Sequence, residues 1–434
     1  MLIEFSVENY RSFQERQTFS MVASEDETRL DSNTFSILNS NSGLRLLKSA
    51  VIYGANASGK SNLLRVIQTL KSIVVNSANK MQVGDKFPIE PFRLNSKSEK
   101  KPTCFEVIFL HKNIRYEYGL SLNRERVYEE WLIAYPNQRQ QNWFSRRYLS
   151  DRSESQINEE YEWFFGKGLK GEKERIKKFV RPNSLFLSHA AQNNHPQLTE
   201  IFEWFQQKIN IITPNSLVGG FTLKICDENS IFREQIVKLL NAADIGISDI
   251  KIESKSVPEG AKQFIKQLIK QETDFQEVEE IDIDEILALH AITLHKMSDS
   301  DREVEFAIEE ESDGTQRLFE LAGPWLYVLQ QGEVLLVDEL GRSLHPVLSK
   351  ALVKMFNDSM INVNNAQLIF ATQDTTLLDA EIFRQDQVWF TEKDRNMSKL
   401  YSLLDFRPLK DESLQKSYLL GRYGAIPFIS GLGI

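Results

Sequence analysis

Residues 54 to 61 combine the residue types that bind phosphate. Gly54, Gly59, Lys60 and Ser61 match the pattern G-x-x-x-x-G-K-[ST]. Glycine allows positive φ and a close approach of backbone N–H groups, which form a concave anion site with the N-terminus of a following helix. Lys60 adds a charge for the β- and γ-phosphates, and the Ser61 hydroxyl can bind Mg²⁺. We interpret the stretch as a phosphate-binding loop; the alternative is a glycine-rich turn before an ordinary helix.

The residues around this loop have the patterns that the motif requires. The preceding stretch "LLKSAVIY" ends as an apolar strand, and "SNLLRVIQTLKSIVV" has helical spacing of its apolar residues. Asn56 lies inside the loop and Asn62 directly follows it, so both are expected to contact the nucleotide. The local order is therefore strand, loop and helix.

A second acidic motif lies far downstream. In "GEVLLVDELGRSLHP" an apolar strand ends in Asp338 and Glu339. Carboxylates at the C-terminal tip of a buried strand lie where open α/β sheets bind ligands. Asp338 is then a candidate ligand of Mg²⁺, and Glu339 a candidate general base for the attacking water. The alternative is that the two acids cap the N-terminus of a helix.

A third candidate, the signature segment (Ser312–Thr315), precedes a predicted helix. Its sequence, Ser-Asp-Gly-Thr, offers a hydroxyl, a glycine and helix-terminal N–H groups, all of which can face an anion. For the tetrapeptide alone, a plain N-cap is the better interpretation. The signature segment lies one predicted helix before the Asp338 motif.

Bulk properties limit the class of protein. The chain has 434 residues, 41% hydrophobic and 26% charged, which is typical of a soluble globular protein with more than one lobe. No run of 18 apolar residues occurs and the start lacks a leader pattern, so neither membrane spanning nor export is expected. Two cysteines cannot form a disulfide framework, which fits a cytoplasmic location.

Charge is segregated along the chain, whose formal net charge is −9. Residues 167–181 hold seven Lys or Arg and two Glu, whereas residues 271–285 hold eight acids and no base. Solvated faces or flexible insertions are the simpler interpretation of such blocks. The basic run is alternatively a contact with nucleic acid or a partner protein.

The patterns divide the chain into three parts. Residues 1–149 hold the phosphate loop and a predicted β meander, 150–285 have mainly helical spacing, and 286–434 hold the signature segment and Asp338. The long separation between the motifs predicts that 150–285 is an insertion or arm on one nucleotide-binding head. The sequence has no sustained heptad repeat, so a long coiled coil is not expected.

Taken together, the motifs resemble the SMC, RecF and ABC-like ATPases, and in particular the bacterial AAA15 ATPases of the AbiLii group. The resemblance runs through "FSVENYRSF", "YGANASGKSN", "PFRL", "SDGTQR", "LLVDELGRSLHP", "LIFATQDTTLLD" and "YLLGRYGAIPFI". It implies an α/β fold, a P-loop head of ABC/SMC type with a β meander and an inserted, mainly helical subdomain. It also implies ATP and Mg²⁺ as the ligands.

The resemblance also assigns roles to single residues. It implies that Ser312 and Gly314 touch the γ-phosphate of ATP held by a second protomer, so that the active form is a nucleotide-dependent homodimer. It places His345 in the D-loop and Gln373 at the switch position, where many relatives carry His. It implies that Arg11 lies near the nucleotide. The expected catalytic residues are Lys60, Glu339 and Gln373.

Two hypotheses about the biological role follow from the resemblance. One is an antiphage-defence ATPase, as in PARIS-like systems, that senses an invader and controls a separate toxin or nuclease. Only 61 residues follow Gln373, too few for a Toprim nuclease module, so the effector is expected on another chain. The other is a RecF-like repair or maintenance ATPase that binds DNA directly, which the acidic balance disfavours and the basic run favours.

Overall fold

The computed structural model describes residues 1–37, 43–149, 160–214, 216, 218–243, 245–254, 289–409 and 412–427. The acidic run 271–285 lies outside the described residues, as do parts of the predicted insertion and of the closing stretch. Within the described residues, no helix is both long and apolar enough to cross a membrane.

The strands and helices alternate along much of the chain. The strands are β1 (Leu2–Glu8), β2 (Gln17–Ser20), β3 (Thr34–Ser36), β4 (Arg45–Leu47), β5 (Ser49–Tyr53), β6 (Thr103–His111), β7 (Ile114–Leu122), β8 (Val127–Ala134), β9 (Gln141–Tyr148), β10 (Tyr161–Phe165), β11 (Ile209–Ile212), β12 (Ile247–Ser254), β13 (Leu289–Lys296), β14 (Glu303–Ala307), β15 (Val334–Val337), β16 (Gln367–Ala371), β17 (Val388–Asp394) and β18 (Met397–Ser402). The α-helices are α1 (Leu30–Asn33), α2 (Lys60–Asn76), α3 (Glu174–Lys177), α4 (Phe186–Gln192), α5 (Leu198–Gln207), α6 (Val218–Glu228), α7 (Ser230–Ala242), α8 (Asp313–Gln331), α9 (Pro346–Asn357) and α10 (Leu414–Leu419). Short 3₁₀ helices lie at Ser98–Lys100, Pro136–Gln138, Ile308–Glu310, Thr375–Leu377, Gln385–Gln387 and Leu403–Phe406.

A six-stranded sheet carries the nucleotide-binding motifs. Its order is β11-β15-β16-β5-β17-β18, and all neighbours are parallel except the β17–β18 hairpin. All residues of β5, β15 and β16 are buried, as expected for parallel strands covered on both faces. Because parallel strands end at the same edge, the loops after β5, β15 and β16 meet there. The predicted α/β P-loop fold is confirmed.

A seven-stranded antiparallel sheet lies beside this parallel sheet. Its order is β10-β9-β8-β7-β6-β1-β2, so β6 to β10 form a meander. Alternating burial along β6 and β8 reflects a sheet with one face on the core. The predicted meander is thus observed, and it extends one strand beyond residue 149.

Helix α2 is packed between the two sheets. Its buried residues share one core with Phe105, Val107 and Phe109 of β6 and with Ala50 and Ile52 of β5. The intervening residues Val51 and Tyr53 of β5 point into a second core with α8 and α9. The period of two along β5 therefore separates the two cores.

The described part of the predicted insertion 150–285 does not form a separate helical unit from its start. β10 completes the seven-stranded sheet, α4 and α5 pack in the first core, and β11 pairs in parallel with β15. From α6 onward the chain packs on α8 and adds the three-stranded sheet β12-β13-β14. The sequence analysis did not predict β10 and β11, because short strands stabilised by distant partners leave a weak local pattern.

Candidate functional site

The phosphate loop is held against the β17–β18 hairpin. A Cβ added to Gly54 would lie 2.3 Å from the Thr391 carbonyl oxygen, so only glycine allows this approach. Gly59 has φ +118° at the start of α2, and its Cβ would lie 2.5 Å from Ser398 Oγ. Both glycines of the motif are therefore required by the packing of the loop as well as by its curvature.

Lys60 begins α2 with its ammonium group turned back onto the loop. Its Nζ donates hydrogen bonds to the carbonyl oxygens of Gly54 (2.7 Å) and Ala55 (3.0 Å). Burial lowers the pKa of Lys60, while the carboxylates of Asp338 and Glu339 oppose this shift. The structure thus brings this cation near the two carboxylates of the downstream motif, 278 or more residues away in sequence.

Asp338 directly follows β15 and is buried. Its backbone N–H is fixed by the Ile212 carbonyl of the neighbouring strand at 2.8 Å. Among the described residues, Oδ1 of Asp338 is buried and has no hydrogen-bond partner. A buried oxygen without a partner is costly unless a ligand satisfies it. The donor set of Asp338 Oδ1 and the Ser61 hydroxyl on one cleft fits Mg²⁺, which takes few protein oxygens and completes its shell with phosphate and water.

Glu339 follows in a left-handed backbone conformation. Its φ is +58°, and its side chain is 45% exposed with Oε2 4.0 Å from Arg342 Nη1. Left-handed non-glycine residues are uncommon and occur often at functional sites. The next helix, α9, begins only at Pro346, so the alternative that these acids cap a helix is wrong.

The loop after β16 is tied to the loop after β15. Thr372 Oγ1 donates to the Leu340 carbonyl at 2.7 Å, and the Leu340 N–H donates to the Ala371 carbonyl at 3.0 Å. The Tyr53 hydroxyl donates to the Asp374 carbonyl at 3.1 Å and so links the phosphate-loop strand to the same segment. Gln373, between these anchors, is exposed to the cleft.

These loops enclose a cleft of about 300 Å³ at the carboxyl edge of the parallel sheet. Its lining residues come from the phosphate loop, the end of β15 and the end of β16: Asn56, Ala57, Lys60, Ser61, Asp338, Glu339, Ala371, Thr372 and Gln373. The structure therefore brings together the predicted lysine, the hydroxyl, both carboxylates and the switch glutamine. Gly54 and Gly59 shape the loop.

Among the described residues, two predicted contact residues, Asn62 and Arg11, are not in the lining of the cleft. Asn62 Nδ2 donates to Ser12 Oγ at 2.9 Å. Arg11 pairs with Glu90 at 3.3 Å and donates from Nε to the Tyr10 hydroxyl, and it is not among the described residues that line the cleft. That Arg11 lies near a bound nucleotide stays a prediction.

Sequence reasoning missed the residues that brace the loop. Ser12 accepts a hydrogen bond from the Ser398 N–H through its carbonyl at 2.8 Å, and Ser398 Oγ donates to the Ser58 carbonyl at 2.6 Å. Ser58 Oγ also bonds Thr391 Oγ1 at 2.7 Å. Serine and threonine are common at such positions, and no local pattern distinguishes these four.

The signature segment lies at the start of α8. Ser312 is the N-cap, and its Oγ accepts from the Thr315 N–H at 3.2 Å. A Cβ on Gly314 would lie 3.1 Å from the Ser343 carbonyl, so the signature segment is packed on the loop that follows Glu339. His345 ends that loop as the N-cap of α9. Within the described chain, Ser312 and Gly314 are not lining residues of the cleft.

The chain was compared with protein-family models, curated proteins and solved structures. Two solved structures resemble the chain: the SMC head domain from Thermotoga maritima (11% identity, TM-score 0.40, 92% of this chain and 98% of that chain); and an SmcHead described as bound to the C-winged helix domain of ScpA (13% identity, TM-score 0.37, 96% and 99%). No curated protein matches the chain significantly. The model of the family described as "AAA domain, putative AbiEii toxin, Type IV TA system" matches residues 49–379, from β5 through the switch segment. The chain belongs to this AAA-domain family.

Proposed function

We propose that the protein binds ATP with Mg²⁺ in this cleft and hydrolyses it. One observation carries the proposal: the buried Lys60 and the unpartnered carboxylate oxygen of Asp338 face one cleft that also holds Glu339. A triphosphate that binds with Mg²⁺ requires a cation for its phosphates and an anion for the metal ion, and Lys60 and Asp338 supply one each. Membership of an AAA-domain family supports it.

The residues of the cleft divide the work of binding. The loop N–H groups and the N-terminus of α2 receive phosphate oxygens, and Lys60 exchanges its two loop carbonyls for the β- and γ-phosphates. Ser61 and Asp338 would hold the metal ion, and Asn56 lies at the cleft wall. Mg²⁺, when bound, neutralises charge that develops on the phosphate oxygens.

Glu339 and Gln373 serve the hydrolytic step. The half-exposed carboxylate of Glu339, which lies at the cleft directly after Asp338, can accept the proton of the attacking water. Gln373 can orient the water or a phosphate oxygen through its amide, although an amide cannot take up a proton as a histidine would.

Nucleotide binding is tested by Lys60→Ala, with Lys48→Ala as the matched control. Lys48 is also buried and lies just before the same strand β5, but it donates to Ser359 at 2.8 Å, at the opposite end of the sheet. We expect Lys60→Ala to weaken ATP affinity at least about tenfold, because a charge-assisted contact to phosphate is lost. Equal ATP affinities of the two variants in titration calorimetry would overturn the assignment.

We also propose that two protomers complete each ATP site. Ser312 and Gly314 lie on α8 outside the cleft of their own chain, so they are available to the nucleotide of a two-fold related partner. Mixing Lys60→Ala protomers with Ser312→Arg protomers should restore one intact site per heterodimer. If heterodimers form, shown by two affinity tags, but no hydrolysis returns, the composite site does not exist.

For the biological role, we propose that ATP turnover regulates a separate toxin or nuclease in antiphage defence. The toxin–antitoxin description of the family supports this role. Phage plating on cells that carry the gene with its native neighbours tests it: the wild type should reduce plaque number, and Lys60→Ala should not. Unchanged plating with the wild type across a diverse phage panel would argue against defence.

DNA maintenance remains the second candidate, and one observation favours it. The basic run 167–181 lies at the surface of a protein whose net charge is −9. Sensitivity of a deletion strain to DNA damage, without any effect on phage, would favour maintenance over defence.

A further inference from the structure

Three segments form a positively charged surface at the far end of α2. The basic surface consists of Lys86, Arg124, Arg175 and Lys178 together with the side chain of Phe179. The segments that carry it hold seven Lys or Arg and two Glu in 167–181, and three further cations and two further acids in 80–86 and 123–125. On a chain with net charge −9, this is a local reversal of sign.

Hydrogen bonds hold these segments together. Arg181, half-buried, donates to the carbonyls of Ser77 (3.0 Å) and Met81 (2.8 Å), which joins the basic run to the end of α2. Asn183 Nδ2 donates to the Asp85 carbonyl at 3.0 Å, and the Phe87 N–H donates to the Arg124 carbonyl at 2.7 Å. The basic surface is therefore built on the rigid core and is not a loose insertion.

Its cations are available to a ligand. The side chains of Lys86, Arg124, Arg175 and Lys178 are exposed, and within the described part of the chain none lies within ion-pair distance of a carboxylate. By contrast, the neighbouring Arg126 is paired with Glu160. Surface cations without an ion-pair partner can neutralise the phosphates of a polyanion, and the counterions bound to that polyanion are then released.

Phe179 adds an apolar ring to the same surface. It is 48% exposed, although Ile176, one turn earlier, is 3% exposed and anchors this segment in the core. The Phe179 N–H donates to the Ile176 carbonyl at 2.9 Å, so the backbone that carries the ring is fixed. A fixed, exposed ring among cations is the arrangement on which nucleic-acid bases stack.

We propose that the basic surface binds single-stranded nucleic acid, with phosphates on its cations and a base on Phe179. The bases of a duplex are stacked on one another, so none is free to stack on Phe179, and the carboxylates of an acidic peptide would bind the cations without contacting the ring. The observations therefore favour single-stranded nucleic acid. Helix α2 has 17 residues, so its ends lie about 25 Å apart and the surface is distinct from the cleft that contains Lys60.

The test uses the full chain and a fluorescent 20-nucleotide oligothymidine, with anisotropy measured from 50 to 200 mM salt. The double variant R175E/K178E should lose at least about tenfold in affinity, and its salt dependence should fall by about 1.4 in slope if two phosphate contacts are lost. The matched control K354E/K393E makes the same charge change at exposed lysines elsewhere and should bind like the wild type.

A second variant separates stacking from charge. F179A should weaken binding about tenfold with no change in salt slope, because only a base contact is removed. No binding by the wild type at 50 mM salt, an equal loss in K354E/K393E, or wild-type binding by F179A would overturn the proposal. Duplex DNA bound as tightly as the single strand would also overturn it. ATP hydrolysis should be unchanged in all four proteins, so this outcome is independent of the proposed ATPase.

Discussion

Lowering the pH should reduce the free energy of unfolding through one buried histidine, His189, on the helix α4 that packs against α2. His189 is 7% exposed on α4, which packs against α2, and its Nε2 lies 2.9 Å from Ser184 Oγ. Burial, with Arg181 and Arg146 nearby, lowers the pKa of His189 to about 4 from 6.5. The folded protein therefore keeps this ring neutral at a pH at which the unfolded chain protonates it.

The sign and size of the effect follow from linkage. Because the unfolded state binds the proton more tightly, stability is full above pH 6.5 and falls as the pH drops toward about 4. Between pH 7 and pH 5 this one group removes about 2 kcal/mol from the free energy of unfolding. The variant His189→Gln lacks the ionisable ring and should lose about 2 kcal/mol less than the wild type over the same interval.

Urea unfolding at pH 7, 6 and 5 measures this difference, and an NMR titration of the His189 ring measures the pKa directly. His111, whose pKa burial also lowers to about 4, is present in both proteins and cancels in the comparison. Identical pH dependence of the two proteins, or an NMR pKa near 6.5 for the ring, would refute the reasoning.

Two further predictions concern buried contacts around the cleft and the meander. Tyr53→Phe removes the 3.1 Å hydrogen bond to the Asp374 carbonyl without leaving a large cavity. It should lower kcat and leave the KM for ATP nearly unchanged, because the segment around Gln373 loses an anchor while the phosphate loop keeps its contacts. An unaltered kcat in steady-state assays would contradict this prediction. Glu130→Ala leaves Arg146, which pairs with Glu130 at 3.0 Å with both side chains fully buried, without its partner, and should destabilise by about 3 to 5 kcal/mol in denaturant unfolding. The exposed neighbour Glu129→Ala should cost less than about 1 kcal/mol, and similar losses in the two variants would argue against the role of burial.

The motifs of the cleft could be predicted because each is local. The glycines before Lys60, the acids after β15 and the glutamine after β16 each follow a short apolar run, and parallel strands that end at one edge bring them together. The meander could also be predicted, because the alternation of apolar and polar residues within β6 to β9 is a local pattern in the sequence.

What the sequence did not reveal depends on partners that are distant along the chain. β11 is a four-residue run whose only distinguishing property is its pairing with β15, more than 120 residues later. The ion pair of Arg11 with Glu90, 79 residues later, likewise has no local sign in the sequence. Ser12 and Ser398, from opposite ends of the chain, support the phosphate loop by hydrogen bonds. The sequence around a serine does not indicate which residue its side chain or backbone will bond. Long-range pairing and register are set by the fold as a whole.

The rate of ATP hydrolysis by Glu339→Gln tests the central claim most directly. Glutamine keeps the shape of the side chain at this half-exposed, left-handed position but cannot accept a proton, so binding should survive while the chemical step slows. At saturating ATP and Mg²⁺ we expect phosphate release to fall on the order of 10²- to 10⁴-fold, with ATP affinity within about twofold of the wild type. Hydrolysis at the wild-type rate by this variant would contradict the assignment of the cleft as a hydrolytic site with Glu339 as its base.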